Sequence, residues 1–576
     1  MTGTPPSPFR LPAPPGLGWL ATLAERALGL AALEAGYRSR PPALDAVGFL
    51  DFALQRLGLR ASGAAALAAA IPARGPLIVY ANHPHGGAEG MLLAQQILGQ
   101  RTDLKILANA LLLRVPEMAP LIIPVNVFQG GVNRASLRQA LAHLQSGGAL
   151  LLFPAGEVSR WHWRAGAVQD PPWPGTLRML AVRSDADVLP VHIGGRASLW
   201  SLCLGALHPR LRTLWLARNL LTLRRRALSL QVGDRVAART LGSLPQPVQT
   251  PLLRLLVDRL AEAQAPRRPN AAATPLITAA DPAALAAEIA GLPAAARLLR
   301  HGEFEVWMAD AARLPQVLPE IGRLRELSFR AVDEGSGLAC DLDAWDAHYQ
   351  HLFIWAADRR CIVGAYRIGD VQQIVAEHGL SGLYTHSLFH YDRRLLARLG
   401  PALEMGRSFV APDFQRSFQP LRLLWAGIAE LLRRRPELGW LFGPVSVPPG
   451  HGTSGRALLQ DALLYHHGDR ELAALVRPRR PLPRTPDSPE RLSVIAGLGD
   501  PARLSRVLSL LGDAHHGLPV LVRQYLELNG RFAGFHVDES FGGSLDGLVF
   551  VKVTDIPERV MARMVRLPSG ASSGVT

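Results

Sequence analysis

Apolar residues along this chain fall into two textures. Over residues 16–70, leucines and alanines recur at spacings of three and four, the period of an amphipathic helix. Short continuous apolar runs then appear at residues 77–81, 104–108, 121–127, 149–153 and 188–193, separated by segments of helical period at 91–98 and 135–145. Buried strands alternating with helices predict an α/β domain over residues 71–260, preceded by a helical segment over 16–70. Residues 264–276 are dominated by proline and small side chains that build no core, so a linker is expected over 261–290. A second globular region of α+β character is expected over 291–560. It has a strand-like alternation at 403–410, an apolar helix at 421–432 and strands at 441–446 and 547–553.

Composition narrows the class. A chain of 576 residues exceeds one core, and 48% hydrophobic with 19% charged residues is a folding composition. Lysine plus arginine outnumber the acids 62 to 47, a formal charge of +15 carried almost wholly by arginine, since the only lysines are Lys105 and Lys552. That sign favours anionic partners such as lipid head groups or an acidic carrier protein. No recognised module supports nucleic-acid binding. Cys203, Cys340 and Cys361 are widely spaced and form no metal-ligand pattern, which predicts a reduced, cytoplasmic protein without a metal centre. The N-terminus lacks the pattern of a signal peptide, and no apolar window reaches the length of a spanning helix. Any membrane contact is therefore expected to be peripheral, on the inner (cytoplasmic) membrane. Residues 211–226, which mix leucines and Trp215 with five arginines, are the first candidate surface, and 16–35 the second.

The first chemical constellation is Leu77-Ile-Val-Tyr-Ala-Asn82-His83-Pro-His85-Gly-Gly-Ala-Glu89, where a strand runs into a glycine turn. A carboxylate paired with an imidazole fixes its tautomer and raises its basicity, so such a histidine can take a proton from an attacking hydroxyl. Three further blocks follow in order: a segment ending in Arg134, the turn Phe153-Pro-Ala-Gly156-Glu157, and Val188-Leu-Pro-Val-His-Ile193. Together they resemble the glycerophospholipid acyltransferase superfamily, in its hemolysin-like branch, over roughly residues 70–240. Two departures mark the branch: five residues rather than four separate His83 from its acid, and the glutamate of the Phe-Pro block is displaced to Glu157. The resemblance implies that His83 is the general base for a hydroxyl and Glu89 its orienting partner. Asn82, Arg134, Gly156 and Glu157 would then bind substrate. By position alone His85 rivals His83.

The second constellation is Arg325 and Phe329, then Asp343 and Asp346, then Glu404-Met-Gly-Arg407-Ser-Phe-Val410. It resembles the carrier-protein-dependent N-acyltransferases of the GNAT superfamily, whose relatives make ornithine lipids and, more distantly, acyl-homoserine lactones. The pyrophosphate loop that grips coenzyme A in typical members is absent, with Gln415-Arg-Ser-Phe-Gln-Pro420 in its place. A thioester on acyl carrier protein is therefore the expected donor, with no further cofactor. The resemblance implies that Glu404 receives the amine proton and that Arg325, Phe329, Asp343, Asp346 and Arg407 bind substrate.

Fused in this order, the two halves resemble bifunctional ornithine-lipid synthases. The C-terminal half would join a 3-hydroxyacyl chain to an amino acid's α-amine, and the N-terminal half would then esterify the 3-hydroxyl. Two other functions compete: a lysophospholipid acyltransferase with a carrier-binding C-terminal domain, and a non-enzymatic membrane-binding protein of hemolysin type.

Overall fold

A computed structural model describes residues 8–10, 18–125, 134–162, 167–195, 209–262, 274–483, 489–512 and 517–566. The chain divides into two compact units, Met1–Pro266 with Pro486–Gly497, and Arg267–Thr485 with Leu498–Thr576. Both helices and sheets are present in each, so the fold is mixed α/β.

The first unit is built on a seven-stranded sheet. Its strands are β1 (Arg60–Ser62), β2 (Leu77–Ala81), β3 (Leu104–Asn109), β4 (Ile122–Val125), β5 (Ala149–Leu152), β6 (Asp187–Ile193) and β7 (Ala227–Val232), in the spatial order β1-β7-β6-β2-β5-β3-β4. Every pairing is parallel except β6 with β7. β2 and β5 are buried along their whole length. That is why their sequences read as unbroken apolar runs, as expected of parallel strands covered on both faces. The helix Gly87–Leu98 follows β2 and buries Leu92, Leu93, Ala94 and Ile97. Helix Pro489–Gly497, far along the chain, returns to this unit and packs on helix Gln246–Glu262.

The segment 211–226 forms the end of helix Pro209–Thr222 and the turn after it. The side chains of 209–215 lie outside the described residues. Leu220, Leu221 and Leu223 pack with Leu54, Leu57, Leu59 and Leu92. Those leucines are therefore spent on the unit's own core rather than offered to a membrane.

The second unit holds an eight-stranded sheet. Its strands are β8 (Arg297–His301), β9 (Phe304–Asp310), β10 (Gln350–Ala356), β11 (Cys361–Asp370), β12 (Ala402–Val410), β13 (Trp440–Val447), β14 (Arg531–Asp538) and β15 (Ser544–Lys552), in the order β8-β9-β10-β11-β12-β13-β15-β14. All neighbours are antiparallel except β12 and β13. Helices Val317–Arg330 and Gln419–Arg434 each bury one face, as their 3.6-residue apolar period dictates.

Candidate active sites

The first site is assembled where β2 ends. Asn82 spends its amide on the last residue of β6: Nδ2 donates to the Ile193 carbonyl (3.0 Å) and Oδ1 accepts from the Ile193 N–H (2.6 Å). The side chain expected to bind substrate thus braces two strand ends. Gly86 then turns the chain at φ +95°, and a Cβ there would come within 2.7 Å of Leu216 Cδ2, so only glycine fits.

Glu89 stands in the first turn of helix Gly87–Leu98 and is fully buried. Its Oε1 accepts from the N–H groups of His85 and Gly86, both at 2.9 Å. The same oxygen lies 3.1 Å from His83 Nδ1. Burial opposes ionisation of this carboxyl, yet the His83 ring, His85 and the backbone bonds outweigh it and hold Glu89 below its ordinary value.

With Nδ1 turned to Glu89, Nε2 is the nitrogen that His83 leaves for chemistry. The ring stacks on Phe153 at 4.4 Å between centroids and stays partly exposed. His85 is different: it is buried, and its Nε2 lies 3.3 Å from the Gly194 carbonyl. The two histidines that position alone left as rivals thus differ in their surroundings, one partly exposed and the other buried.

One residue that the sequence reading missed holds this site. Asp170 Oδ1 accepts from the His83 N–H (3.3 Å) and from Ser159 Oγ (2.5 Å), and Oδ2 accepts from Trp173 Nε1 (3.2 Å). Ser159 in turn donates its N–H to the His83 carbonyl at 2.8 Å. Asp170 belongs to no motif, and only the fold brings it to the histidine. Gly156 and Glu157 form the turn after β5 that leads to Ser159, with Gly156 at φ +67°. Arg134 is exposed at the start of helix Arg134–Gln145, and the block that precedes it, 126–133, lies outside the described residues.

The second site opens where two parallel strands part. β12 and β13 pair only from Ala402 to Glu404 and from Trp440 to Phe442. Beyond that, β12 continues against β11 and β13 against β15. At the parting point Gly443 passes so close to β12 that a Cβ would sit 1.8 Å from the Met405 carbonyl oxygen, and Pro444 has no N–H to continue a ladder. A cavity of about 80 Å³ lies here, lined by Phe329, Glu334, Tyr384, Arg407, Ser446 and Asp546 among others.

Arg407 reaches the cavity through a break in regular pleating. The β12–β11 register slips between Ala365 and Arg367, and Arg407 takes φ +49°, a β-bulge that re-aims its side chain. The guanidinium lies over the rings of Tyr384 (5.0 Å) and Phe541 (4.5 Å), with Asp343 at 3.4 Å and Asp341 at 3.8 Å. Its Nε is buried without a hydrogen-bond partner.

Behind it, Arg325 pairs with Asp341 (2.9 Å) and Asp346 (3.0 Å), while Arg367 pairs with Asp343 (2.6 Å) and Asp346 (3.4 Å). Three guanidiniums face three carboxylates, so the cluster is neutral and can be buried. Burial opposes ionisation of Asp343, but Arg367 and Arg407 hold it well below the usual carboxylate range. Of the residues expected to bind substrate in this half, Phe329 and Arg407 stand on the cavity wall. Arg325 and Asp346 are buried within the charge cluster, and Asp343 links that cluster to Arg407.

Glu404, expected to take the amine proton, is not on the cavity wall. It precedes the bulge, is buried, and accepts from Tyr349 Oη (2.5 Å) and the Thr385 N–H (2.6 Å). Burial raises its pKa despite those bonds. The carboxyls on the wall are two that no motif suggested. Glu334 follows helix Val317–Arg330, and its buried Oε1 has no partner. Burial, with Asp546 nearby, pushes it up to about 8. Asp546 on β15 stands opposite Ser446 on β13 and accepts from its Oγ at 2.7 Å. Burial, reinforced by Asp538, pushes it up to about 7 against the opposing pull of Ser446 and Arg407.

The chain matches two families: an acyltransferase family over residues 45–240 and an acetyltransferase (GNAT) domain over residues 324–426. It is similar to the glycine N(alpha)-acyltransferase of Phocaeicola vulgatus, 30% identical over 286 residues, covering 47% of this chain and 86% of that protein. The glycine N(alpha)-acyltransferase of Bacteroides thetaiotaomicron is 29% identical over 288 residues, covering 47% of this chain and 83% of its own length. The lyso-glycine lipid O-acyltransferase of the same organism is 29% identical over 187 residues, covering 31% of this chain and 67% of its own length.

Proposed function

This chain belongs to the acyltransferase family of the Phocaeicola vulgatus glycine N(alpha)-acyltransferase, and from that premise we propose that it builds a diacylated amino-acid lipid in two steps. The second unit transfers a 3-hydroxyacyl chain from acyl carrier protein to the α-amine of an amino acid. The first unit then acylates the new 3-hydroxyl. Glycine is the proposed head group, because the relatives' names carry glycine at both steps. Ornithine, which the motif resemblance favoured, is the alternative.

The observation that carries the ester-forming step is the His83–Glu89 pair, with Nδ1 toward the carboxylate and the ring partly exposed. His83 Nε2 takes the hydroxyl proton as the oxygen attacks the thioester carbonyl carbon. The carbon–oxygen bond forms, the carbon–sulfur bond breaks, and the imidazolium returns its proton to the departing thiolate. Glu89 keeps Nδ1 protonated and balances the imidazolium charge throughout. Housing both steps in one chain raises the effective concentration of the monoacyl intermediate at the second catalyst.

Membrane contact is part of the same proposal. Among the described residues no helix is long and apolar enough to cross a membrane. Leu111, Leu112 and Leu113 stand exposed on the short turn Ala110–Arg114 of the first unit, beside a basic residue, a composition suited to an anionic lipid surface.

The test is expression in a host that makes no aminolipid, with mass spectrometry of the lipid extract. A new diacyl amino-acid lipid is expected. If no amine-linked acyl lipid appears, the proposed function is wrong.

A further inference from the structure

The cavity between β12 and β13 is lined by two side chains that each keep a buried polar atom without a partner, one a guanidinium donor and the other a carboxyl oxygen. One is Arg407 Nε and the other is Glu334 Oε1. An unpaired buried donor or acceptor costs about 1–3 kcal/mol, more if charged, so a pocket retaining one of each kind suits a ligand that supplies both complements. A simple anion would satisfy Arg407 and oppose the carboxyls. A simple cation would do the reverse. A zwitterion meets both.

Size restricts it further. At about 80 Å³, against roughly 10–15 Å³ in the same measure for one water, the space admits a small cluster of waters or one small amino acid. The wall carries a further polar pair, since Ser446 holds Asp546 in place at 2.7 Å. The cavity begins where the two strands stop pairing. Their facing edges there offer backbone groups to an amide-bearing thioester arm that would bring the acyl carbon to the amine.

We propose that this cavity is the acceptor subsite of the N-acyltransferase unit, taking a small amino acid whose carboxylate pairs with Arg407 and whose ammonium faces Glu334, the group that receives its proton. The proposal rests on the N-acylation function proposed above. Glu334 takes one proton from the ammonium, the freed lone pair attacks the thioester carbonyl, the carbon–nitrogen bond forms and the carbon–sulfur bond breaks. The nitrogen then loses its second proton, which leaves with the thiolate as a thiol. Asp546, fixed by Ser446, keeps the carboxyl pair from ionising fully and so holds Glu334 near the protonation range where a base works at neutral pH.

The experiment uses the full chain with 3-hydroxyacyl carrier protein and glycine, alongside calorimetry with glycine, acetate and methylamine as separate probes. Glycine is expected to bind, and the two singly charged probes to bind at least tenfold more weakly. Arg407→Gln is expected to raise KM for glycine about ten- to a hundredfold with a smaller change in kcat. Glu334→Gln is expected to lower kcat about a hundredfold or more and to remove the alkaline-going limb of the kcat profile. Circular dichroism checks that each variant folds, and if Arg407→Gln does not, the Glu334→Gln profile decides.

Wild-type N-acylation of glycine with both variants unimpaired overturns the subsite. So does equal binding of acetate and glycine, or preference for a long-chain amino acid such as ornithine. Failure of the wild-type chain to acylate any amino acid overturns the proposed function instead, and the two failures are thereby told apart.

Discussion

His83 Nδ1 and Glu89 Oε1 lie 3.1 Å apart, and the same carboxylate oxygen also accepts two backbone N–H groups from the turn between them. One residue therefore caps a helix, shapes a turn and sits against an imidazole. Replacing Glu89 with Gln should cost O-acylation through a misoriented or wrongly tautomerised ring. Replacing His83 with Ala should cost more, about 10²- to 10⁴-fold. In cells, His83→Ala should accumulate the monoacyl amide. Continued production of the diacyl lipid would mean that the base lies elsewhere.

His85 gives the matching control. Its ring is buried against the Gly194 carbonyl. His85→Gln should lower the thermal midpoint while leaving O-acylation per folded molecule within a few-fold of wild type. A loss as deep as that of His83→Ala would reverse the roles assigned to the two histidines.

Much of this first site is visible in the sequence. The apolar runs place β2, β3, β5 and β6 to within a residue or so, because fully covered parallel strands leave an unbroken signature. The motif then puts His83 at a strand end. What the sequence hides is Asp170, 87 positions from the His83 N–H that it accepts.

Glu404 should behave as a structural residue. Glu404→Leu leaves the Tyr349 hydroxyl and the Thr385 N–H buried without their acceptor. Each orphan costs about 1–3 kcal/mol, so a large drop in thermal midpoint is expected. A stable variant with abolished N-acylation would restore Glu404 as the base.

The second site is less legible in the sequence, for a reason visible in one strand. The apolar run that signals β15 begins at Gly547, but the strand begins at Ser544. Asp546 falls in Ser544-Leu545-Asp546, which after Gly542 and Gly543 looks like the end of a turn, and it is a strand residue because β13 and β14 flank it. Glu334 likewise follows a helix end with no motif around it. Residues whose chemistry comes from burial cannot announce it locally, since burial is a property of the whole fold.

Folding stability should fall with rising pH on account of these two carboxyls. Asp546 is pushed up from 3.8 to about 7 and Glu334 from 4.5 to about 8. Between the unfolded and folded values the native chain binds more protons than the unfolded one. Their contribution is therefore fully present below about pH 4 and is lost as pH rises through 7 and 8. The combined effect is on the order of 10 kcal/mol at most. Asp546→Asn should raise the thermal midpoint relative to wild type more at about pH 9 than at about pH 5. The opposite trend would mean that the carboxyl is ionised in the fold.

The exposed leucines offer a separate check. Changing Leu111, Leu112 and Leu113 together to serine should weaken sedimentation with anionic vesicles about tenfold or more, while the rate with a soluble short-chain acceptor stays unchanged. Undiminished vesicle binding would assign membrane contact to another surface.

The return of helix Pro489–Gly497 to the first unit means that the chain passes between its two units three times, after Pro266, after Thr485 and after Gly497. A single gene cut after Pro266 therefore leaves helix Pro489–Gly497 of the first unit on the other piece. Residues 1–266 alone would expose the face of helix Gln246–Glu262 on which that helix packs, where Val248 meets Gly497. The two units are thus interleaved along the chain rather than strung end to end, and no single cut separates them cleanly.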